Sequence, residues 1–321
     1  MRKVLITGAG SYIGTAFENW VQDNCPNIQT ETVDMIGEAW RSKDFHAFDA
    51  IFHVAGIAHA DVGKVTEEQK AMYYKVNADL TIETVRKAKA EGVKQFIFMS
   101  SIIVYGESAG IGRERVITKD TPLSPANFYG DSKVKAEEGL QKLADDSFKV
   151  VILRPPMIYG KDSKGNYPLL AKMARKLPFF PDVQNQRSML YVGNLCKFVS
   201  LMIENEEQGI FFPQNEEYVQ TSRMVKAIAQ VHGKRIWLTK LFNPMLTVVG
   251  KLGGEPDSKM KSMSDSEALG ESGNKPEPKT NKLTGLVNKA FGNLVYEKSM
   301  SEYKTDYRMY SFKESIELTE A

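Results

Sequence analysis

The chain is poor in the residues that build metal centres and disulfide frameworks. Among its 321 residues there are two cysteines, Cys25 and Cys196, and four histidines. The cysteines are far apart and form no C-x-x-C pair, which argues against a zinc site or a disulfide scaffold and fits a reducing compartment. No metal is expected. Long hydrophobic runs are also missing. No stretch approaches the roughly 20 apolar residues of a membrane-spanning helix. The apolar run after Met1-Arg2-Lys3 is too short for a signal peptide, so the expected location is cytoplasmic, with no membrane span. Charge of one sign is lacking too. Lys plus Arg number 42 against 40 Asp plus Glu, a net charge of +2. No bulk field calls for nucleic acid or a membrane surface, and each basic residue must be argued by its position.

What is present is alternation. Short β-branched runs at 4–7, 28–33, 50–54, 95–100 and 150–153 are separated by helical patterns at 12–23, 66–91 and 128–144. This order predicts an α/β fold: a Rossmann-type, doubly wound parallel sheet with helices on both faces. The nucleotide-binding domain is placed at 1–154. Residues 155–321 read as a smaller, mixed lobe whose elements return to the first domain. Within it, 253–282 is rich in Gly, Ser, Pro, Lys and Glu, and reads as a flexible insertion.

The turn Thr7-Gly8-Ala9-Gly10-Ser11-Tyr12-Ile13-Gly14 joins the first strand to the first helix. Glycine permits the tight turn and the close approach of backbone to a pyrophosphate. The first-turn N–H groups, Tyr12 and Ile13 among them, and the positive end of the helix dipole then face phosphate. Asp34 ends the second strand, 20 residues past Gly14. There it can hold ribose hydroxyls and repel a 2′-phosphate, which favours NAD over NADP.

A second pattern lies in Tyr129-Gly130-Asp131-Ser132-Lys133. Four residues apart, Tyr129 and Lys133 share a helical face. A nearby ammonium favours the phenolate and is expected to lower the tyrosine pKa, so that Tyr129 can take a proton from a substrate hydroxyl. Ser100-Ser101 end the preceding strand, where ligands bind in open α/β sheets. His53 and His59 flank the third strand and are expected to be structural.

These stretches, with FHVAG (52–56), YYKVNADLT (73–81), SSIIVYG (100–106), SPANFYGDSK (124–133), LRPPMIYG (153–160) and QRSMLYVGNL (186–195), resemble the extended short-chain dehydrogenase/reductase family, in its NAD-dependent sugar-nucleotide epimerase/dehydratase branch. The resemblance implies NAD held by Gly8, Gly10, Ser11, Tyr12, Ile13 and Gly14. Ser11 stands where the family usually has its middle glycine. It implies Asp34 at the adenosine ribose, Asp44 and Phe45 at the adenine, and Ala55 and Gly56 beside the pyrophosphate and ribose. Pro156 falls in the segment that passes the nicotinamide. Ser101, Tyr129 and Lys133 match the catalytic set, and Asn77 the asparagine that maintains its geometry; Tyr129 and Lys133 also touch cofactor, and Ser101 and Tyr129 substrate. Arg187 matches the arginine that pairs with the diphosphate of a nucleotide sugar, and Asn166 is a further candidate contact. Met157 and Asn194 depart from the family pattern.

Three reactions share such a site. Epimerisation at C4 of a UDP-hexose or UDP-N-acetylhexosamine leads, with reduction of a 4-keto nucleotide sugar second. Dehydration needs acids after the catalytic serine, where Ile102 and Ile103 stand here. A regulator that binds cofactor without turnover would be expected to lack the Tyr or the Lys. The family habit also implies a homodimer through the helices near 70–90 and 127–145.

Overall fold

A computed structural model describes residues 1–58, 65–251 and 282–321. The chain opens with β1 (Arg2–Thr7), α1 (Tyr12–Asn24), β2 (Ile28–Val33) and β3 (Ala50–His53). Next come α2 (Glu67–Tyr74), α3 (Leu80–Ala90), β4 (Gln95–Met99), a short β5 (Val116–Ile117), α4 (Phe128–Gln141) and β6 (Lys149–Leu153). Beyond these lie β7 (Met157–Tyr159), α5 (Asn166–Lys176), β8 (Phe179–Pro181), β9 (Met189–Tyr191), α6 (Val192–Glu204), β10 (Gly209–Phe211) and α7 (Thr221–Val231). The last elements are β11 (Trp237–Thr239), α8 (Asn243–Lys251), α9 (Lys282–Phe291), β12 (Val295–Tyr296) and α10 (Phe312–Glu320).

Six strands form one parallel sheet in the order β10-β6-β4-β3-β1-β2. β2 and β3 lie on opposite sides of β1, so the winding reverses beside β1. That reversal opens the crevice at the carboxyl ends of the strands in which such sheets bind ligands. Both faces of the sheet are covered. Val4 and Ile6 pack towards α1 and α6, while Leu5 packs with Val85, Ala136 and Leu140 from α3 and α4. Burial on both faces explains why β1 and β3 read as unbroken apolar runs rather than alternating ones.

The boundary at 154 divides the sequence more cleanly than the sheet. α6 packs beside α1, and β10 pairs with β6 as the sixth strand. Three smaller parallel pairs, β7–β9, β8–β11 and β5–β12, link the rest. A second core forms among α5, α7 and α10, around Tyr159, Leu170, Ile228 and Ile316.

The helix expected over 66–91 is broken. α2 and α3 are separated by a π-helical turn at Lys75–Asp79. The insertion expected at 253–282 lies outside the described residues up to 281, and Lys282 already opens α9. His59 lies outside them as well.

Candidate active site

The glycine turn is shaped by close approach. Gly8 has φ +94°, and a Cβ there would stand 3.0 Å from Ala55 N and Cα. A side chain is therefore excluded by both conformation and space. At Gly14 a Cβ would meet Ile6 Cγ2 at 3.1 Å and Val54 Cγ2 at 3.2 Å, so α1 can lie close on the sheet only with glycine there. Gly10 has open space around it. Ser11 is the N-cap of α1, its Oγ accepting from Gly14 N at 3.2 Å. This satisfies one of the helix's free donors and leaves the start of α1 without an acidic residue in its first turn. The N–H groups of Gly8 and Ala9 both donate to Val33 O, which brings exposed Asp34 beside the turn.

Opposite the turn, three elements converge. A Cβ on Gly56 would lie 3.0 Å from Asn77 Oδ1 and 3.4 Å from Lys133 Nζ. Asn77 sits in the π turn, fully buried. Its amide accepts from Ile57 N (2.8 Å) and donates to Ile57 O (3.0 Å) and Ser132 Oγ (3.1 Å). The π turn thus ties the loop after β3 to the helix that carries Tyr129; such turns recur at functional sites. Lys133 Nζ donates to Met99 O at 2.8 Å. Ser101 caps the short helical turn after β4, and its hydroxyl is a hydrogen-bond partner of Tyr129. Ile102 N donates to Pro155 O, which seats buried Pro156 next to the serine.

The electrostatics reverse one expectation. Burial pushes Tyr129 up to about 12, against the opposing pull of the Ser101 hydroxyl. Burial also pushes Lys133 down to about 8, only partly offset by Glu137. Lys133 does not pull the tyrosine down here. Desolvation disfavours the charged form of both groups.

Arg187 lies across the crevice, half-buried, bridged to both Val219 and Leu294. Its Nη1 donates to Ser108 Oγ and Gly292 O, each at 3.1 Å. Ser108 follows the segment that begins with Ser101, so the arginine is anchored to the loop that leaves that serine. Its partners among the described residues are neutral, and burial pushes its pKa down to about 10. A desolvated guanidinium without a carboxylate can receive an anion bidentately.

Not every expected residue joins the site. Phe45 is fully buried in the core with Leu5, Met35 and Trp40, and its N–H donates to Glu91 Oε2 at 2.6 Å. Its ring fills the layer beneath the sheet and leaves no face for adenine. Asp44 is exposed and bonds back to His46, in a group with Glu91 whose oxygens and nitrogen lie within 4.8 Å of one another. Asn166 is exposed at the start of α5 and makes no hydrogen bond to any other candidate among the described residues. Tyr12 contributes its place in the first turn, while its hydroxyl is buried without a partner against Gly160. His53 is structural: Nδ1 meets Thr7 Oγ1 at 2.8 Å and Nε2 meets Thr81 Oγ1 at 3.0 Å.

Two important residues were not singled out from the sequence. Buried Glu137 accepts from Ser100 Oγ and, through Arg154 Nε, at 3.1 Å on each oxygen. Arg154 Nη1 continues to Tyr105 Oη at 2.6 Å. This network pins the strand ends that carry Ser101 and Pro156. Its signal was in the spacing, since Glu137 lies one turn past Lys133 on the same face.

Comparison with known proteins decides the family. The model of the NAD dependent epimerase/dehydratase family matches residues 4–212. The chain belongs to this family. A UDP-glucose 4-epimerase of Vibrio cholerae is 30% identical over 277 residues, covering 80% of this chain and 84% of that protein. An N-acetyl-α-D-glucosaminyl-diphospho-ditrans,octacis-undecaprenol 4-epimerase of Escherichia coli O157:H7 is 28% identical over 270 residues, covering 78% and 77%. In fold, the chain is similar to a UDP-glucuronic acid 4-epimerase of Bacillus cereus in complex with NAD, with TM-score 0.60 and 17% identity over 74% of this chain and 87% of that one. NAD is the cofactor of the family, and the close-packed glycine turn with exposed Asp34 beside it fits such a group. Among the described residues no helix is long and apolar enough to cross a membrane.

Proposed function

We propose that this family member interconverts epimers of a nucleotide sugar at C4, a UDP-hexose or UDP-N-acetylhexosamine, through a 4-keto intermediate. The observations that carry the reading are the hydrogen bond between Tyr129 and Ser101, Lys133 one turn on beside Gly56, and an Arg187 that has no carboxylate partner among the described residues. Arg187 reads the diphosphate. Ser101 and Tyr129 hold the C4 oxygen. The Tyr129 oxygen accepts the hydroxyl proton as the C4 hydrogen leaves, and returns it after the ketone has turned its other face. Bound NAD supplies the hydride acceptor and a positive ring that favours the phenolate. Lys133 holds ribose hydroxyls and keeps positive charge beside Tyr129. Dehydration is disfavoured because Ile102 and Ile103 follow Ser101 and offer no acid.

The same proposal places the protein in the cytoplasm and pairs two copies through α2–α3 and α4, which sedimentation would test. The purified protein, given UDP-glucose, UDP-N-acetylglucosamine or N-acetylglucosaminyl-diphospho-undecaprenol without added cofactor, should convert one of them with no net change in NADH. Turnover only on a 4-keto sugar with added NAD(P)H would replace this reading by a reductase. Tyr129→Phe should keep its NAD and lose roughly 10²–10⁴-fold in kcat.

A further inference from the structure

The strongest unexplained surface is apolar and lies far along the chain from the catalytic helix. Phe179 of β8 and Trp237 of β11 are register partners, side by side and exposed, Trp237 by 70%. A short turn leads from β11 into α8, held by Asn243 Nδ2 on Asp182 O and by Leu241 N on Thr239 Oγ1. Leu241 (79% exposed) stands in that turn, and Met245 and Val248 on α8 are exposed as well. Leu246 is buried and Val249 packs on the second core, so Met245 and Val248 form the outer edge of one wide apolar face of the helix. From Asn243 to Gly250 the helix has no charged residue. Large apolar side chains grouped on the surface in this way mark an interaction site.

The rim is richer in basic than in acidic residues. From Val231 to Gly250 there is no acidic residue, and from Lys172 to Gln184 only Asp182. Lys172, Lys176, Arg235 and Lys240 are exposed and form no ion pair with a described residue. A second copy of the chain seated by a two-fold axis would set this basic rim against itself, which is unfavourable. An anionic lipid surface answers both features, since apolar side chains with a tryptophan enter the headgroup boundary while lysines meet the phosphates.

We propose that the face formed by Phe179, Trp237 and the outer edge of α8 docks the protein peripherally on an anionic membrane surface. The face is joined to the substrate crevice. α8 packs on α9 through Thr284 Oγ1 to Val249 O and Asn288 Nδ2 to Gly250 O, and α9 ends at Phe291, just before Gly292, whose carbonyl accepts from Arg187. Docking is read without turnover, so it stands or falls apart from the reaction assigned above.

The test uses the full chain with phosphatidylcholine vesicles, with and without phosphatidylglycerol. Trp20 and Trp40 are buried, leaving Trp237 as the exposed indole of the three tryptophans, so its emission reports the contact. Co-sedimentation and a blue shift are expected only with phosphatidylglycerol, weakening with salt. Met245→Ser with Val248→Ser, or Lys176→Glu with Lys240→Glu, should each lower vesicle affinity at least about tenfold while turnover of a soluble UDP-sugar stays unchanged. The proposal is overturned by absence of binding, by equal binding to neutral vesicles, by indifference to these substitutions, or by their abolishing self-association in a protein that binds no lipid.

Discussion

Two arginines, buried Arg154 and half-buried Arg187, show how the same side chain can be finished in one region and left open in another. At Arg154 burial alone would lower the pKa, but the hydrogen bonds and charge of Glu137 overcome it and hold the group above its ordinary value. Every direction of that guanidinium meets an acceptor: both Glu137 oxygens and the Tyr105 hydroxyl. At Arg187 burial acts without a carboxylate to oppose it, and the pKa falls to about 10. The first arginine is part of the frame. The second carries the desolvation cost of a cation that has no carboxylate among the described residues.

The sharpest break of this contrast is Glu137→Ala. Removing one partner of a buried pair leaves an uncompensated charge, and about 3–5 kcal/mol of stability should be lost in urea unfolding. Glu137→Leu combined with Arg154→Met should regain most of it. If the single variant unfolds like the parent, the frame reading of Arg154 is wrong.

Arg187→Met should do the reverse. The unfolding midpoint should hold or rise, while UDP affinity by calorimetry falls roughly 10–100-fold, the loss of charge-assisted hydrogen bonds worth about 1.5–3 kcal/mol. Arg187→Lys should fall between, since an ammonium cannot bind the diphosphate as a fork. Burial lowers the Arg187 pKa, but the guanidinium keeps its charge and a bound diphosphate favours that charge, so its contribution to UDP affinity should not fall between about pH 7 and 9.

His53 offers the smallest test, as a satisfied group of the first kind. Burial holds its pKa down to about 3, with the Lys133 charge adding in the same direction. The unfolded chain takes up this proton below about 6.5, so its contribution is full above that pH and is lost as pH falls towards 3. At pH 5 the loss should be about 2 kcal/mol, and His53→Gln should flatten that part of the stability curve.

Local rules made much of this site legible. The strand–turn–helix at 4–24 is written in contiguous residues, although the close approach that Gly8 and Gly14 permit involves Ala55 and Val54, from beyond that unit. Tyr129 and Lys133 share a face because a helix repeats every 3.6 residues. Phe45 was misread because an aromatic beside an aspartate looks the same in sequence whether its ring faces a ligand or the core. The break in the 66–91 helix was invisible because a π turn needs no glycine or proline to form, and Lys75–Asp79 contains neither.

The chain's own sequence determined the family and its cofactor, and it supplied the candidate acid/base residues, because those depend on spacing within single elements. Tertiary structure decided what spacing cannot reach. It brought Arg187 to Ser108 across 79 positions and Glu137 to Arg154 across 17. It returned β10 to the sheet from beyond the expected boundary, and it set the signs of the pKa shifts. A pKa is fixed by how much water is removed from around a group, and that is known only once the other elements have packed against it.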